Sequence, residues 1–151
     1  MVFTNEIRSG ATIDATSEEV WGVLADFGSY GEWNPGFASI EGQAEAGTKL
    51  DIAFSLKGDR TMRMRPTVLA AEPGRELRWL GRVFVPGLFD GEHRFEIHDD
   101  EPGRVRFVQG ERFRGLLVPF LRSMIEVDTL AMFERVNVAL AARVAELRNK
   151  V

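Results

Sequence analysis

The residues that follow Pro119 constrain the fold of this chain more than any other segment. No glycine or proline occurs after Pro119, and a proline is well tolerated in the first turn of a helix. Apolar residues then recur at spacings of three, four or their multiples, as on one helical face: Leu121, Met124, Phe133, Val136, Leu140, Val144 and Leu147. About thirty helical residues at ~1.5 Å each would span ~45 Å, more than a small core needs for closure. The sequence therefore predicts one long C-terminal helix.

The residues before this helix follow a different period. Residues 2–14 alternate between polar and apolar, as a half-buried strand does, and residues 37–114 read as successive strands joined by tight turns. Between them, Thr16 and Glu19 form a capping box that begins a short helix, and a second short helix ends before Asn34-Pro35. We therefore expect a single α+β domain over residues 1–151. A curved seven-stranded antiparallel sheet, two short helices and the long C-terminal helix would enclose a cavity.

Composition excludes several classes of function. The chain has no cysteine and two histidines, so thiol chemistry is absent and a metal site is not expected. A formal net charge of −4 argues against nucleic acid as a partner. Motifs for nucleotide cofactors are absent, and we expect no cofactor. No apolar run approaches the ~20 residues of a membrane span, and no signal peptide is visible, so we expect a cytoplasmic protein without stable membrane insertion.

The strand phases point to a pocket on the concave face of the sheet. Pairing Ile97 with Val105 would place His93 opposite Gln109, with Glu111 diagonal to His93. A mostly apolar surface with a few convergent polar groups is typical of small-molecule sites. The residues expected to contact the ligand are Phe54, Met64, Trp79, His93, Phe95, Phe107, Gln109, Glu111, Met124, Asp128, Phe133 and Asn137. An alternative is that His93 and Glu111 pair only to stabilise the open end of the sheet.

Five sequence segments resemble the START-like (SRPBCC) superfamily, which has the helix-grip fold. The run from Val20 to Pro35 resembles its first helical segment, and residues 73–79 and 87–95 are similar to its polyketide cyclase/dehydrase-like bacterial branch. Residues 111–117 and 133–140 are similar to that branch too. The resemblance implies a cavity between the sheet and the long helix. It implies no catalytic residues and no single chemistry, since one fold supports many functions.

Two functional hypotheses follow, from different classes. The first is a protein that binds an apolar small molecule, such as a lipid, a polyketide-like aromatic compound or a quinone. The second is a cyclase, dehydratase or isomerase in which His93 is the general acid or base and Glu111 orients it. The apolar loop at residues 84–89 would act as a lid over the entrance, or else as a contact surface for a protein partner.

Overall fold

The computed structural model describes residues 3–56, 59–83 and 85–150 of the chain. Lys57, Gly58 and Phe84, which belong to a predicted hairpin turn and to the predicted lid, lie outside these residues. The described strands are β1 (Thr4–Ile13), β2 (Phe37–Glu41), β3 (Asp51–Ser55), β4 (Thr61–Met64), β5 (Thr67–Glu72), β6 (Glu76–Val83), β7 (Phe89–Glu101) and β8 (Arg104–Arg114). The described α-helices are α1 (Ser17–Leu24), α2 (Tyr30–Trp33) and α3 (Leu130–Asn149).

The strands form two antiparallel sheets, so the prediction of a single seven-stranded sheet is wrong. One sheet has the order β1-β8-β7-β6-β5 and the other the order β2-β3-β4. The difference arises at Pro66, where the segment predicted as one strand divides into β4 and β5, because proline cannot donate a ladder hydrogen bond. The backbone N–H of Leu50 donates to the Pro66 carbonyl at 2.8 Å. A bridge between Lys49 and Thr67 also joins the two sheets at this edge.

The strand faces are as predicted, but the register of the β7–β8 pair is not. His93 pairs with Glu111, Phe95 with Gln109 and Ile97 with Phe107, which is a shift of two residues from the predicted pairing. Since side chains alternate between faces with a period of two, a shift of two leaves every inward residue inward.

The β5–β6 hairpin departs from the prediction by one residue in part of its length. Val68 pairs with Trp79 as predicted. Ala71, not Ala70, lies opposite Leu77, because a register shift intervenes between Val68 and Ala70. Such a shift inserts an extra residue into one strand, which apolar alternation does not reveal.

The C-terminal helix is long, but it begins irregularly. A 3₁₀ turn at Val118–Leu121 and a π-helical segment at Met124–Thr129 precede α3. The buried face of α3 carries Phe133, Val136, Asn137, Leu140 and Val144, whereas Leu147 of the predicted face is exposed. Among the described residues, no helix combines the length and the apolar character needed to span a membrane.

The short helices near the N-terminus fold as the sequence predicts. The backbone N–H of Glu19 donates to Thr16 Oγ1 at 3.1 Å, and that of Thr16 donates to Glu19 Oε1 at 3.0 Å. These two bonds complete the capping box at the start of α1. Tyr30, the only tyrosine of the chain, is fully buried, and its hydroxyl donates to the Leu24 carbonyl. The short helices are thus fixed to each other.

We expect Tyr30 to make the protein sensitive to alkali. Burial raises the pKa of the Tyr30 phenol well above its ordinary value, and the nearby Asp26 carboxylate raises it further. In the unfolded chain the phenol ionises near its reference pKa of about 10. The folded state therefore keeps this proton to a higher pH than the unfolded chain does. The stability that the buried phenol contributes is present below about pH 10 and is lost as pH rises, by about 1.4 kcal/mol per pH unit.

Tyrosinate absorbance should appear only together with loss of the circular dichroism signal. Tyrosinate that formed in the folded protein would contradict this, and Tyr30→Phe is the control without a titrating phenol.

Candidate ligand-binding site

A belt of polar side chains crosses the apolar core, and its members come from three strands and the C-terminal helix. It consists of Ser9, His93, Gln109, Glu111 and Asn137 (the polar belt). Ser9 lies on β1, His93 on β7, Gln109 and Glu111 on β8, and Asn137 on α3. Ion-pair or hydrogen-bond distances join all five into one chain of contacts, which is why so many polar groups can lie inside the protein.

The contacts of the belt run from the sheet to the helix. His93 Nδ1 lies 3.2 Å from Glu111 Oε1, and His93 Nε2 lies 3.0 Å from Gln109 Oε1. Gln109 Nε2 donates to Asn137 Oδ1 at 3.0 Å and to the Phe133 carbonyl at 3.3 Å. Asn137 Nδ2 then donates to Ser9 Oγ at 2.9 Å. Both nitrogens of His93 are therefore occupied by protein partners.

The belt separates two apolar clusters. The larger cluster contains Phe95, Phe107 and Leu140, and the smaller one contains Phe113 and Phe133. Along β8 the order is Phe107, Gln109, Glu111, Phe113, so that the polar residues stand between one cluster and the other. The same alternation on β1, β7 and α3 makes the belt a continuous layer.

Aromatic rings enclose His93 on several sides. The centroid of its ring lies 4.4 Å from that of Phe95, 4.9 Å from Phe133, 5.3 Å from Trp79 and 5.8 Å from Phe37. His93 is therefore almost fully buried, whereas the side chain of Glu111 retains 14% of its exposure. Of the two partners, Glu111 is therefore the more exposed.

Two glycines on neighbouring strands lie beneath this carboxylate and the side chain of Met64. Gly81 on β6 and Gly91 on β7 are direct cross-strand partners and share the inward phase of Trp79 and His93. A Cβ atom on Gly91 would collide with Glu111 Oε2, and one on Gly81 would lie 2.6 Å from Met64 Sδ. The glycine pair is thus covered by a carboxylate at one end and by a thioether at the other. A methionine side chain rearranges easily.

The structure brings together most of the residues predicted to bind a ligand. Trp79, His93, Phe95, Gln109, Phe133 and Asn137 are buried in contact with the belt or its aromatic walls. Phe107 stacks with Phe95 at 6.1 Å, and Phe54 packs on Phe37 at 5.0 Å. Met124 and Asp128 lie on the π-helical segment with exposed side chains. For all the residues predicted to bind a ligand, the role of ligand contact stays a prediction.

Sequence reasoning missed Ser9, Phe37 and the glycine pair. The signal for the glycines was present, since Gly81 is in phase with Trp79, and Gly91 with His93. Two inward glycines on adjacent strands indicate space on that face. Ser9 has the phase of Ile7, but its contact with Asn137 depends on how the helix lies over the sheet.

The predicted lid is only partly a loop. Phe89 begins β7 and is buried in the smaller cluster, whereas Val85 is 58% exposed. The backbone N–H of Leu116 donates to the Gly87 carbonyl at 3.1 Å, which holds the loop against the start of the 3₁₀ segment. Its roles as a lid or as a partner surface stay predictions.

Two cavities lined by described residues lie away from the aromatic walls. One of about 400 Å³ is bordered by Thr16, Ser17 and residues 99–105. The other, of about 110 Å³, is bordered mainly by charged side chains of the outer sheet face, including Arg8, Arg94 and Arg112. Glu111 is the only residue predicted to bind a ligand that borders either one. The apolar cavity under the helix therefore stays a proposal.

We expect Gly91→Ala to separate Glu111 from His93. The new methyl group would occupy the position of Oε2, so that the carboxylate must move and leave Nδ1 of a buried histidine without its partner. The free energy of unfolding should fall by about 1–3 kcal/mol, and the ring resonances of His93 should shift in NMR spectra. Gly81→Ala is the matched control, because there only the Met64 thioether has to move. Equal effects of the two substitutions would show that the glycine does not position the carboxylate.

Comparison with known proteins confirms the resemblance. Residues 4–145 match the family described as polyketide cyclase / dehydrase and lipid transport, whereas no curated protein matches the sequence. Similar folds occur in a START superfamily protein from Mycobacterium smegmatis (TM-score 0.74, 18% identity, 94% of this chain and 98% of that chain) and in the Zhui aromatase/cyclase from Streptomyces sp. R1128 (TM-score 0.78, 15% identity, 95% and 94%). Norcoclaurine synthase from Thalictrum flavum is also similar (TM-score 0.75, 13% identity, 98% of each chain).

At these identities the structural likeness shows the fold alone. The match over residues 4–145 shows that the chain belongs to the polyketide cyclase/dehydrase and lipid transport family.

Proposed function

We propose that this protein binds a small, largely apolar molecule above the Gly81–Gly91 pair, between the sheet and the C-terminal helix. The observation that carries the proposal is the position of Glu111. Its carboxylate ends the chain of contacts in the polar belt, and its side chain is only 14% exposed. The bound molecule would complete the surroundings of this group.

The energetics of the carboxylate support this proposal. Removing a carboxylate from water is costly unless the group is paired and hydrogen-bonded. Oε1 is paired with His93. Oε2 lies against Gly91, and no hydrogen bond or ion pair from another described residue reaches it. Water or a ligand must therefore solvate Oε2.

The apolar surroundings support a ligand that is mostly hydrocarbon. Phe54 and Met64 lie on one face of β3 and β4 and are partly exposed, as is Val83. Met64 covers Gly81. Movement of the Met64 side chain would open the space without moving the backbone, and its flexibility suits varied apolar shapes. A lipid, a polyketide-like aromatic compound or a quinone fits this description.

Native mass spectrometry of freshly purified protein tests the proposal. We expect a stoichiometric apolar molecule that organic extraction releases. Gly81→Leu should fill the space above the glycine pair and lower occupancy at least about tenfold, as expected for loss of a few well-placed contacts. Leu69→Met, a substitution at an exposed position, is the control. Unchanged occupancy in Gly81→Leu would place the ligand elsewhere or exclude the proposal.

Acid–base catalysis is the second candidate function, and one distance favours it. His93 Nδ1 and Glu111 Oε1 lie 3.2 Å apart, as the hypothesis of a cyclase, dehydratase or isomerase requires. A histidine–carboxylate pair can donate or accept a proton near neutral pH. The pair thus has the geometry for proton transfer at the boundary of the apolar core.

The two candidates differ in what happens to the bound molecule. If the protein is an enzyme, Glu111→Gln should co-purify with a molecule that differs chemically from the one held by the wild type. For a dehydratase, the variant's molecule would be heavier by one water. If the protein only binds its ligand, wild type and variant should carry the same molecule, at different occupancy. High-resolution mass spectrometry with chromatographic separation distinguishes these outcomes, including isomers of equal mass.

A further inference from the structure

The hydrogen bonds of Gln109 fix the position of one proton in the polar belt. The Gln109 amide faces the main-chain carbonyl of Phe133 at 3.3 Å, and a carbonyl oxygen can only accept a hydrogen bond. The Nε2 side of the amide must therefore point to Phe133, and its Oε1 side must point to His93. Consequently His93 Nε2, at 3.0 Å from Oε1, carries a hydrogen and donates it to Gln109.

The other nitrogen of His93 then has only two allowed states. With Nε2 protonated, a neutral imidazole has a bare acceptor at Nδ1, and this atom lies 3.2 Å from Glu111 Oε1. Two acceptors at this distance require a proton between them. Either His93 is an imidazolium beside a carboxylate, or Glu111 is a carboxylic acid whose Oε1 donates to Nδ1.

Both states leave Glu111 Oε2 as a hydrogen-bond acceptor. In the first state it is a carboxylate oxygen, and in the second it is the carbonyl oxygen of the acid. No nitrogen of His93 is available in either state, because both are occupied and the ring is almost fully buried. The roles expected from the sequence are therefore reversed: Glu111 faces the bound molecule, and His93 positions Glu111.

We propose that the apolar ligand carries a hydroxyl group that donates its hydrogen to Glu111 Oε2. This inference rests on the proposed binding function and specifies the ligand class for the same site. A ligand with only acceptors, such as an ether or a quinone carbonyl, would bring two acceptors together at Oε2. The glycine pair marks the approach: Oε2 lies over Gly91, and the flexible Met64 side chain over the paired Gly81 would move to admit the ligand.

A pair of probes that differ only in the donor tests the proposal. We expect 2-naphthol to bind about tenfold or more tightly than 2-methoxynaphthalene in isothermal titration calorimetry, as a hydrogen bond to a charged group would give. Glu111→Gln should keep a preference for naphthol, because its amide nitrogen can donate to His93 Nδ1 and leave its oxygen at the position of Oε2. Glu111→Leu, which has no acceptor, should bind both probes equally.

The outcomes separate this inference from the function on which it rests. If both probes bind the wild type with equal affinity, the hydroxyl contact is wrong and the apolar site stands. If neither probe binds, the proposed function fails and the inference fails with it. A naphthol preference that persists in Glu111→Leu would place the hydroxyl contact elsewhere. Independently of any ligand, ¹⁵N NMR should show His93 protonated at Nε2, and an Nε2 without hydrogen would overturn the assignment.

Discussion

The fully buried amide of Gln109 is the contact on which the arrangement of sheet and helix depends. An amide removed from water must satisfy both its donors and its acceptor, because each unmet group costs about 1–3 kcal/mol. Gln109 does so through His93 on β7 and through Asn137 and the Phe133 carbonyl on α3. Apolar contacts alone would tolerate some sliding of the helix. These hydrogen bonds do not, since they fix the height and rotation of α3 over the sheet.

The chemistry of the site follows from this contact. Because Gln109 holds one nitrogen of His93, the other nitrogen is directed at Glu111, and the carboxylate is held between the two apolar clusters. Gly91 leaves the space that the carboxylate occupies. Satisfying the buried amide, a structural requirement of the core, therefore places a polar group of defined hydrogen-bonding character beside the glycine pair.

Much of this architecture could be predicted because it depends on periodicity. The inward phases of β7 and β8 and the buried face of α3 were readable from alternation with periods of two and 3.6. The capping box at Thr16 was equally local, since its partners are three residues apart. The register of β7 against β8 was not readable, because any shift by two residues preserves both faces. The division at Pro66 was overlooked, since apolar alternation continues through Met64 and Val68 on either side of it.

The sequence by itself determined the class of fold and which side chains face inward, because local spacing sets both. It also identified His93 and Glu111 as partners, although through the wrong register. Only the tertiary structure decided what that pairing means. The carbonyl of Phe133, a main-chain group that carries no sequence signal, orients Gln109 and so assigns the hydrogen on His93. That assignment leaves Glu111 Oε2 as the hydrogen-bond acceptor that the pair can offer, because the direction of a hydrogen bond depends on which groups meet in space.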